Sequence, residues 1–247
     1  MMNRYFYDLH IHSCLSPCAD DDMTPNNIAG MAALKGLNLL ALTDHNSCKN
    51  CPAFFEACRK QGIVPIAGME LTTAEDIHLV CLFEKLESAM AFDAEIAKHI
   101  LPVKNRPDIF GNQLILDGED EIIGEEEILL ISATDLWAQD AIALARKFGA
   151  HVHPAHVDRE SNGMIAILGD IPEEYRFDCY EFNNLSNLEE YQQRFSYLRK
   201  ENVLVCSDAH QLWTISEAEN FVLLDDEPYS SALVRRRFFE FLKQMGA

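Results

Sequence analysis

Runs of apolar residues alternate with amphipathic segments along most of the chain. Leu37–Thr43 is a continuous apolar run, which is typical of a strand buried on both faces of a parallel sheet. Thr24 and Pro25 predict the start of a helix, with Thr24 as the N-cap, and Gly36 predicts its end. Strands and helices that alternate in this way indicate an α/β protein.

The same reasoning divides the rest of the chain into strands and helices. The predicted strands are Tyr5–His12, Leu37–Thr43, Ile63–Glu70, Ile77–Phe83, His151–His156, Asp178–Asn183, Val203–Ser207 and Phe221–Leu224. The predicted helices are Pro25–Lys35, Pro52–Gln61, Glu84–Ile100, a helix capped by Thr134 or Ser132 that ends near Phe148, Leu188–Glu201 and Leu233–Met245. This order predicts a (β/α) barrel of the triosephosphate-isomerase kind or a distorted relative.

The segment from Leu101 to Glu127 interrupts the alternation. It contains two prolines, a strand candidate at Gln113–Leu116, a turn at Asp117-Gly118 and an acidic run. We interpret it as a β-hairpin insertion at about 101–131. The chain of 247 residues is long enough to form the remaining barrel as a single domain spanning 1–247.

The charge of the chain is strongly negative, with 40 acidic against 20 basic residues and a net charge of −20. Because such a field repels polyanions, we expect nucleic acid not to be a partner unless metals or a basic patch intervene. The sequence has no apolar run of 18 residues and no signal-peptide pattern. We therefore expect a cytoplasmic protein with no membrane partner, whose eight cysteines are reduced thiols or metal ligands.

A row of metal-ligand residue types lies near the N-terminus, in Asp8-Leu-His-Ile-His12. Because side chains alternate along a strand, Asp8, His10 and His12 would share one face. A carboxylate and two imidazoles on a rigid strand are suitable ligands for zinc, iron or manganese. The pattern predicts the beginning of a metal site.

Further histidines and acids fall at the ends of later predicted strands. They are Asp44 and His45, Glu70, His156, and Asp208 and His210, while His78 begins the fourth strand. In a barrel, functional side chains converge at the C-terminal ends of the strands. Each residue alone has an ordinary structural explanation, but the set as a whole predicts one functional site.

The ordered series of motifs resembles that of the PHP (polymerase and histidinol phosphatase) family. The matching pieces are Asp8-x-His10-x-His12, Thr43-Asp44-His45, Gly68-x-Glu70, Ala155-His156 and Ser207-Asp208-Ala209-His210, which span most of the chain. The resemblance implies a distorted (β/α)7 barrel with two or three divalent metal ions (zinc, manganese or iron) at the C-terminal ends of the strands. It also implies an enzyme that hydrolyses phosphate esters.

Carried over residue by residue, the resemblance implies three metal positions. The implied ligands are His10, His12, Glu70 and Asp208 for the first metal, Glu70, His78 and His156 for the second, and Asp20, His45 and His210 for the third. Glu70 would bridge two metals, and Asp8 and Asp44 would orient the ligating imidazoles. Arg159 would bind a phosphate oxygen, with an ion pair to a neighbouring acid as an equal alternative.

Two of these ligand assignments have competitors in the sequence. His153-Pro154 matches the commonest form of the family motif, but the strand length favours His156. Asp22 could replace Asp20, which the resemblance implies because the equivalent acid in the family also precedes the helix-opening proline by five residues, as Asp20 precedes Pro25.

Four cysteines lie in the loops after the first two predicted strands: Cys14, Cys18, Cys48 and Cys51. Consecutive strands of a parallel barrel are usually neighbours, so the two loops should lie side by side. A structural zinc, an iron–sulfur cluster or a redox pair would fit four adjacent thiols. The short motif nevertheless favours reduced thiols that pack the loops.

The expected function is that of a metal-dependent phosphoesterase acting on a small phosphorylated metabolite or nucleotide. The nucleophile would be a hydroxide that bridges two metals. One alternative is a PHP-type exonuclease acting on nucleic-acid ends, which the negative charge makes weaker. The other is a non-catalytic metal-binding regulatory module, which the complete set of ligands makes weaker still.

Overall fold

The described part of the chain, residues 2–246 of a computed structural model, alternates strands with helices. The strands are β1 (Met2–Asp8), β2 (Leu39–Leu42), β3 (Val64–Thr72), β4 (His78–Phe83), β5 (Leu114–Leu116), β6 (Ile122–Glu125), β7 (His151–Pro154), β8 (Tyr180–Phe182), β9 (Val203–Val205) and β10 (Phe221–Asp225). The helices are α1 (Pro25–Leu34), α2 (Cys51–Gln61), α3 (Leu86–Ile96), α4 (Pro107–Phe110), α5 (Ala138–Lys147), α6 (Met164–Leu168), α7 (Leu188–Arg194) and α8 (Ser231–Met245). The short helices α4 and α6 are not predicted from the sequence.

The main sheet has six strands in the order β10-β1-β2-β3-β4-β7, and β8 pairs with β9 in a separate parallel pair. Strands β1, β2 and β3 run parallel, while β10 is antiparallel to β1 and β4 is antiparallel to both of its neighbours. The result is a mixed α/β fold whose sheet is curled into a half-barrel.

Strand β2 is buried along its whole length, which confirms the prediction from its apolar run. Leu40 and Leu42 belong to a core cluster that includes residues of α1 and α2. Leu39 and Ala41 belong to a second cluster on the opposite face, which includes residues of α8. The sheet is therefore covered on both faces, as parallel strands require.

Strand β4 runs against the direction expected for a parallel barrel. Only residues 73–77 connect it to β3, and a parallel crossover needs a dozen or more residues, so the two strands form a hairpin. As a consequence, His78 at the start of β4 pairs with Thr72 at the end of β3. His78 thus lies at the same edge of the sheet as the ends of the parallel strands.

Several predicted elements are shorter in the structure. Strand β1 ends at Asp8, so His10 and His12 follow the strand instead of lying within it. Helix α5 begins at Ala138, because the Thr134 hydroxyl donates to the Thr72 carbonyl and does not cap the helix. The Glu75 carboxylate instead accepts the backbone N–H of Ala138 at 3.0 Å, a cap supplied from a distant part of the chain. Helices α3 and α7 likewise end earlier than predicted, at Ile96 and Arg194.

The interval interpreted as an insertion contains the antiparallel hairpin β5–β6. It is attached to the loops that follow β1 and β2. The Leu114 N–H donates to the Cys14 carbonyl at 2.9 Å, and the Asn50 side chain bonds both the Leu114 carbonyl and the Leu116 N–H. The hairpin therefore fixes the two loops that carry candidate site residues.

Helix α8 covers one face of the sheet near the end of the described chain. The Ser230 hydroxyl accepts the Leu233 N–H as its N-cap, and Val234, Phe238 and Leu242 are buried against the second core cluster. With 15 residues it is the longest helix between residues 2 and 246. Over that range no helix is both long enough and apolar enough to cross a bilayer.

Candidate metal centre

The carboxylate of Glu70, near the end of β3, lies at the centre of a buried histidine cluster. Its side chain is 1% exposed. Five imidazole nitrogens surround its two oxygens: His78 Nδ1 at 2.8 Å, His156 Nε2 at 3.1 Å and His10 Nε2 at 3.3 Å from Oε1, and His45 Nδ1 at 3.0 Å and His12 Nε2 at 3.3 Å from Oε2. One carboxylate is thus shared by histidines that follow β1, β2 and β7 and by the histidine that begins β4.

Asp208 places a second carboxylate beside the two N-terminal histidines. Its Oδ1 lies 3.1 Å from Nε2 of His12 and 3.4 Å from Nε2 of His10. The ligand atoms of His10, His12, Glu70 and Asp208 all lie within 4.8 Å of one another. These four residues are the set that the family resemblance implies for the first metal, and together they could hold one cation.

Two further groups share members with the first. His45, Glu70 and His78 form one group, and His12, His45 and His210 form the other. Asp20 and Asp22, the two candidate acids for the third position, belong to none of the groups found among residues 2–246. Asp20 instead donates its backbone N–H to the His210 carbonyl at 3.0 Å, so its role as a ligand stays a prediction.

Several atoms at the centre are buried without a hydrogen-bond partner. They include Oε2 of Glu70, Oδ1 of Asp208 and Nδ1 of His45. Buried carboxylate oxygens and imidazole nitrogens left in this state are energetically unfavourable. All three face the grouped ligand atoms, so divalent cations with nitrogen and oxygen ligands fit the centre.

Glu181 in β8 orients His10, although no sequence motif singles it out. Its Oε1 lies 2.8 Å from Nδ1 of His10 and accepts the backbone N–H of His156 at 3.1 Å. Glu181 is fully buried, and the pKa of its carboxyl is lowered to about 2, because the charge and the hydrogen bond of His10 outweigh the effect of burial. An acid inside an otherwise apolar strand is the signal in the sequence that could have identified it.

Asp44 acts on His12 through a serine. The Ser16 hydroxyl donates to Oδ1 of Asp44 at 2.7 Å, and its oxygen lies 3.0 Å from Nδ1 of His12. Oδ2 of Asp44 accepts the Ser13 hydroxyl, also at 2.7 Å. The prediction that Asp44 orients an imidazole therefore corresponds to an indirect contact, and Ser16 is not predicted from the sequence.

Asp8 bonds backbone groups in the structure, so its role in orienting an imidazole stays a prediction. Its carboxylate accepts backbone N–H groups of Ser207 at 3.1 Å and Ser216 at 2.9 Å, and it contacts no imidazole nitrogen by hydrogen bond. Burial raises the pKa of Asp8, although those hydrogen bonds oppose the shift. The side chain fixes the segment that carries Asp208, which lies between these two serines.

The cluster has unusual proton affinities. Burial by itself would lower the pKa of His12 and His45, but the neighbouring carboxylates outweigh it and raise both pKa values to about 9. The pKa of Glu70 is well below its usual range, because the charges of His78, His10 and His45 outweigh its burial. Without a cation, protons bound to the histidines therefore balance the negative charge of the carboxylates. Metal ions would displace these protons on binding.

A narrow recess of about 90 Å³ leads to the cluster, and Arg159 and Asn162 line it together with the grouped side chains. The Arg159 guanidinium is ion-paired with the Asp208 carboxylate, not with Asp158 or Glu160. A larger cavity of about 920 Å³ elsewhere is lined by none of these residues.

The structure separates the two histidines that competed in the sequence. His156 reaches Oε1 of Glu70, while His153 lies in a different buried group.

His156 and Asp208 both have left-handed backbone conformations, with φ of 27° and 53°. Such strain costs roughly 1–3 kcal/mol for a residue other than glycine and is concentrated at functional sites.

The four loop cysteines form no shared metal group among residues 2–246. The Cys48 thiol donates to the Gly68 carbonyl at 3.1 Å, and burial raises the pKa of Cys48 well above its usual value. Burial also raises the pKa of Cys14 to about 12, whereas Cys18 is exposed. Packing by reduced thiols, the favoured interpretation, agrees with these positions.

The half-barrel fold and its histidine–carboxylate cluster define the class of protein, an α/β protein with a candidate metal centre at one edge of its sheet. More particularly, the chain belongs to the PHP domain family, which matches residues 8–200. The resemblance stated from the sequence motifs is confirmed.

Curated relatives match short segments. The 5'-3' exoribonuclease of Haemophilus influenzae is 35% identical over 88 residues, which is 34% of this chain and 31% of that protein. The error-prone DNA polymerase of Symbiobacterium thermophilum is 39% identical over 77 residues, which is 31% of this chain and 7% of that protein. The chain thus spans less than a third of the length of either relative.

Solved structures share the fold over almost the whole chain. The lesion-specific endonuclease Q of Pyrococcus furiosus has a TM-score of 0.62 and 19% identity, over 95% of this chain and 55% of that one. A protein of Bifidobacterium adolescentis, assigned provisionally as a metal-dependent phosphoesterase, has a TM-score of 0.62 and 18% identity, over 97% of both chains.

The expectation that nucleic acid is not a partner is wrong. A further structure of endonuclease Q, with a TM-score of 0.59 to this chain, contains a 27-mer duplex with an abasic lesion at its active site. The Haemophilus protein that is similar to this chain is likewise named for an activity on nucleic acid, as a 5'-3' exoribonuclease. The net charge of a chain does not describe the local potential at a site that binds cations, so a charge of −20 does not exclude nucleic acid.

Proposed function

We propose that the chain is a phosphoesterase that uses two or three divalent cations, with zinc, manganese and iron as the candidates. The observation that carries this proposal is the position of Glu70, whose two oxygens lie within 3.3 Å of five imidazole nitrogens. When bound, the cations supply Lewis acidity, neutralise phosphate charge and make water a nucleophile at neutral pH.

The first set of proposed ligands coincides with a group in the structure, while the second and third follow the family resemblance and overlap such groups in part. The ligands are His10, His12, Glu70 and Asp208 for one cation, Glu70, His78 and His156 for a second, and His45 and His210 with Asp20 for a third. Glu70 is the shared ligand, because each of its oxygens faces a different set of histidines. Glu70 is ionised at neutral pH despite its burial, because the surrounding histidines hold its pKa well below the usual range.

The chain's own residues orient the site. Glu181 holds Nδ1 of His10, and Ser16 holds Nδ1 of His12, so that Nε2 of each ring faces the carboxylates of Glu70 and Asp208. Ligating histidines in metalloenzymes are commonly fixed by such partners.

In the proposed mechanism, the position of the Arg159 side chain depends on whether a cation is bound to Asp208. Its guanidinium is paired with Asp208, a proposed ligand, and therefore occupies the position of a positive charge at the centre. A cation on Asp208 would release the guanidinium, whose side chain is 45% exposed, into the recess. There it could bind a phosphate oxygen, an interaction for which arginine is well suited.

The recess limits what reaches the cations. Its volume of about 90 Å³ is far below the roughly 300–1,000 Å³ of pockets that enclose drug-sized ligands. It has room for a phosphate group, while the rest of the substrate would lie outside. This geometry is compatible with a phosphorylated metabolite, a nucleotide or the end of a nucleic acid.

An exonuclease acting on nucleic-acid ends is the second candidate. The similarity to a 5'-3' exoribonuclease favours it, and the endonuclease Q complex shows that a protein of this fold accepts nucleic acid at its active site. Cations at the cluster would reverse the local negative potential that a phosphodiester backbone must approach. The third candidate, a non-catalytic metal-binding module, is disfavoured because the ligand positions carry suitable side chains.

The decisive experiment compares two substrate panels with Mn²⁺, Zn²⁺ and Fe²⁺ added separately. One panel contains phosphorylated metabolites and mononucleotides, and the other contains end-labelled single-stranded DNA and RNA. We expect phosphate or nucleotide release that Glu70→Gln abolishes together with part of the metal content. His99→Ala, outside the cluster, should retain both. No release from either panel by fully metal-loaded protein would contradict the proposed function.

We also infer that the two sheets belong to one distorted (β/α)7 barrel, within a single domain that carries the hairpin as an insertion. Two links support this inference. A parallel bridge joins Ile11 to Ala209, and the Val157 N–H donates to the Glu181 carbonyl at 2.8 Å. With β10 set aside, these links would connect β1, β2, β3, β4, β7, β8 and β9 into a ring of seven strands.

A further inference from the structure

A second group of ligand atoms lies apart from the candidate metal centre. It consists of His151 and His153 on β7 and Cys179 immediately before β8. His153 and Cys179 are fully buried, and His151 is 7% exposed. Nε2 of His151 lies 3.3 Å from the Cys179 sulfur. Because the two histidines are separated by one residue in a strand, their rings point to the same face.

His153 is the second observation that points to a ligand. Both of its ring nitrogens are buried and lack a hydrogen-bond partner. The nearest carboxylate oxygen, Oε2 of Glu181, is 3.6 Å from Nε2, which is too far for a hydrogen bond. A buried imidazole in this state loses its hydration without compensation, which typically costs about 1–3 kcal/mol. A cation bound by the group would remove this penalty.

We propose that His151, His153 and Cys179 form a separate zinc site. Two imidazoles and a thiolate are a ligand set that zinc accepts, and tetrahedral bonds of about 2.0 Å to nitrogen and 2.3 Å to sulfur hold these atoms roughly 3.5 Å apart. The observed separation of 3.3 Å between nitrogen and sulfur is close to that value. The fourth position falls to water.

A recess of about 130 Å³ borders this site on the side of the His151 ring that faces away from Cys179. His151 lines it, and the charged groups around it are Glu84, Arg146, Asp178 and Lys243, two of each sign. Oδ2 of Asp178 lies 3.7 Å from Nδ1 of His151, on the side of the ring away from Cys179, where an acid helps to fix the tautomer of a ligating imidazole.

The proton balance of binding is simple. Burial raises the pKa of the Cys179 thiol well above its usual value, so the thiol is protonated at neutral pH. Zinc binding would form the zinc–sulfur bond, break the S–H bond and release one proton to solvent. Burial lowers the pKa of His151 well below its usual value, so its lone pair is free to bind a metal.

The zinc site would lie beneath the candidate metal centre, and one residue would be a neighbour of both. Glu181 bonds His10 through Oε1 and faces His153 through Oε2. His151 lies at the start of β7, and His156 follows its end. A zinc ion here would therefore tie β7 to β8 and hold the strand that carries Glu181, without contacting substrate.

The test uses full-length protein loaded with Co²⁺, which reports thiolate ligands by a sulfur-to-cobalt charge-transfer band. Wild-type protein should show this band, and Cys179→Ser should lose it together with one metal equivalent per chain. Cys58→Ser, a buried cysteine outside any metal group, and Cys18→Ser, which lies near His45, are the matched controls and should keep the band.

Two results would overturn the proposal. One is the absence of a thiolate band in metal-saturated wild-type protein, and the other is its loss in Cys18→Ser with retention in Cys179→Ser. If Cys179→Ser does not fold, His151→Gln replaces it, because this side chain borders the recess and has a substitute of similar size. X-ray absorption of zinc-loaded wild-type protein should then show sulfur at about 2.3 Å, and nitrogen and oxygen ligands alone would refute the site.

Discussion

His10 donates its Nδ1–H to Oε1 of Glu181 across 2.8 Å, and both side chains are fully buried. The direction of this hydrogen bond follows from the carboxyl, whose pKa is lowered to about 2, so that at neutral pH it can only accept. Nε2 of His10 is thereby presented to Glu70 and Asp208. The geometry of the metal centre thus depends on Glu181, an acid that lies outside the groups of ligand atoms.

We expect Glu181→Gln to weaken metal binding about 10- to 100-fold, because partners of ligating histidines typically have effects of that size. The neutral amide keeps the shape of the side chain but no longer fixes the tautomer of His10. Metal dissociation constants measured by competition with a chelating dye would show the effect, with phosphoesterase activity falling in parallel. Glu190→Gln, an exposed residue, serves as the control. Equal dissociation constants for the wild type and Glu181→Gln would refute the orienting role.

His156→Ala should lose one cation and most of the phosphoesterase activity, since its Nε2 lies 3.1 Å from Glu70. His153→Ala should lower activity much less, because this ring does not reach Glu70. Metal content per chain and turnover, measured on the same preparations, distinguish the two variants. The reverse order of effects would assign the ligand to His153.

Arg159→Met should have opposite effects on substrate and metal. The loss of a charge-assisted contact to phosphate, worth about 1.5–3 kcal/mol, should lower kcat/KM by roughly 10- to 100-fold. Metal affinity should instead increase, because the guanidinium no longer competes for Asp208. Steady-state kinetics and metal titration test the two signs separately. Unchanged KM together with weaker metal binding would indicate a purely structural arginine.

The raised pKa values of His12 and His45, both about 9, predict a pH dependence of the metal-free protein. Protonation of these imidazoles stabilises the folded state fully below their unfolded pKa of about 6.5, and this contribution is lost as pH rises through about 9. The Tm of chelator-treated protein should therefore fall between these values. Metal affinity should rise over the same window, because fewer protons must be displaced.

The pH prediction is checked by thermal melts and metal titrations at intervals across that window. His45→Gln should flatten the fall in Tm, because it removes one of the two groups. A Tm that rises with pH in the metal-free protein would contradict the assigned shifts.

The sequence alone identified the family and most of the residues at the candidate centre. His10, His12, His45, Glu70 and Asp208 could be recognised because their residue types and spacing are local properties, and each falls near the end of an apolar run. The same locality predicts strands such as β2 and the start of α1, which depend on burial pattern and capping. Nothing in these signals requires knowledge of distant contacts.

The tertiary structure decided what depends on distant contacts. His10 and Glu181 are 171 positions apart, so no local pattern could pair them. The ion pair of Arg159 with Asp208 and the cap of α5 by Glu75 are likewise long-range. The reversed direction of β4 brings His78 to the centre, because hydrogen bonding to β3 and β7 determines strand direction. Residue types fix which groups can bind a cation, whereas packing of the sheet determines which of them meet.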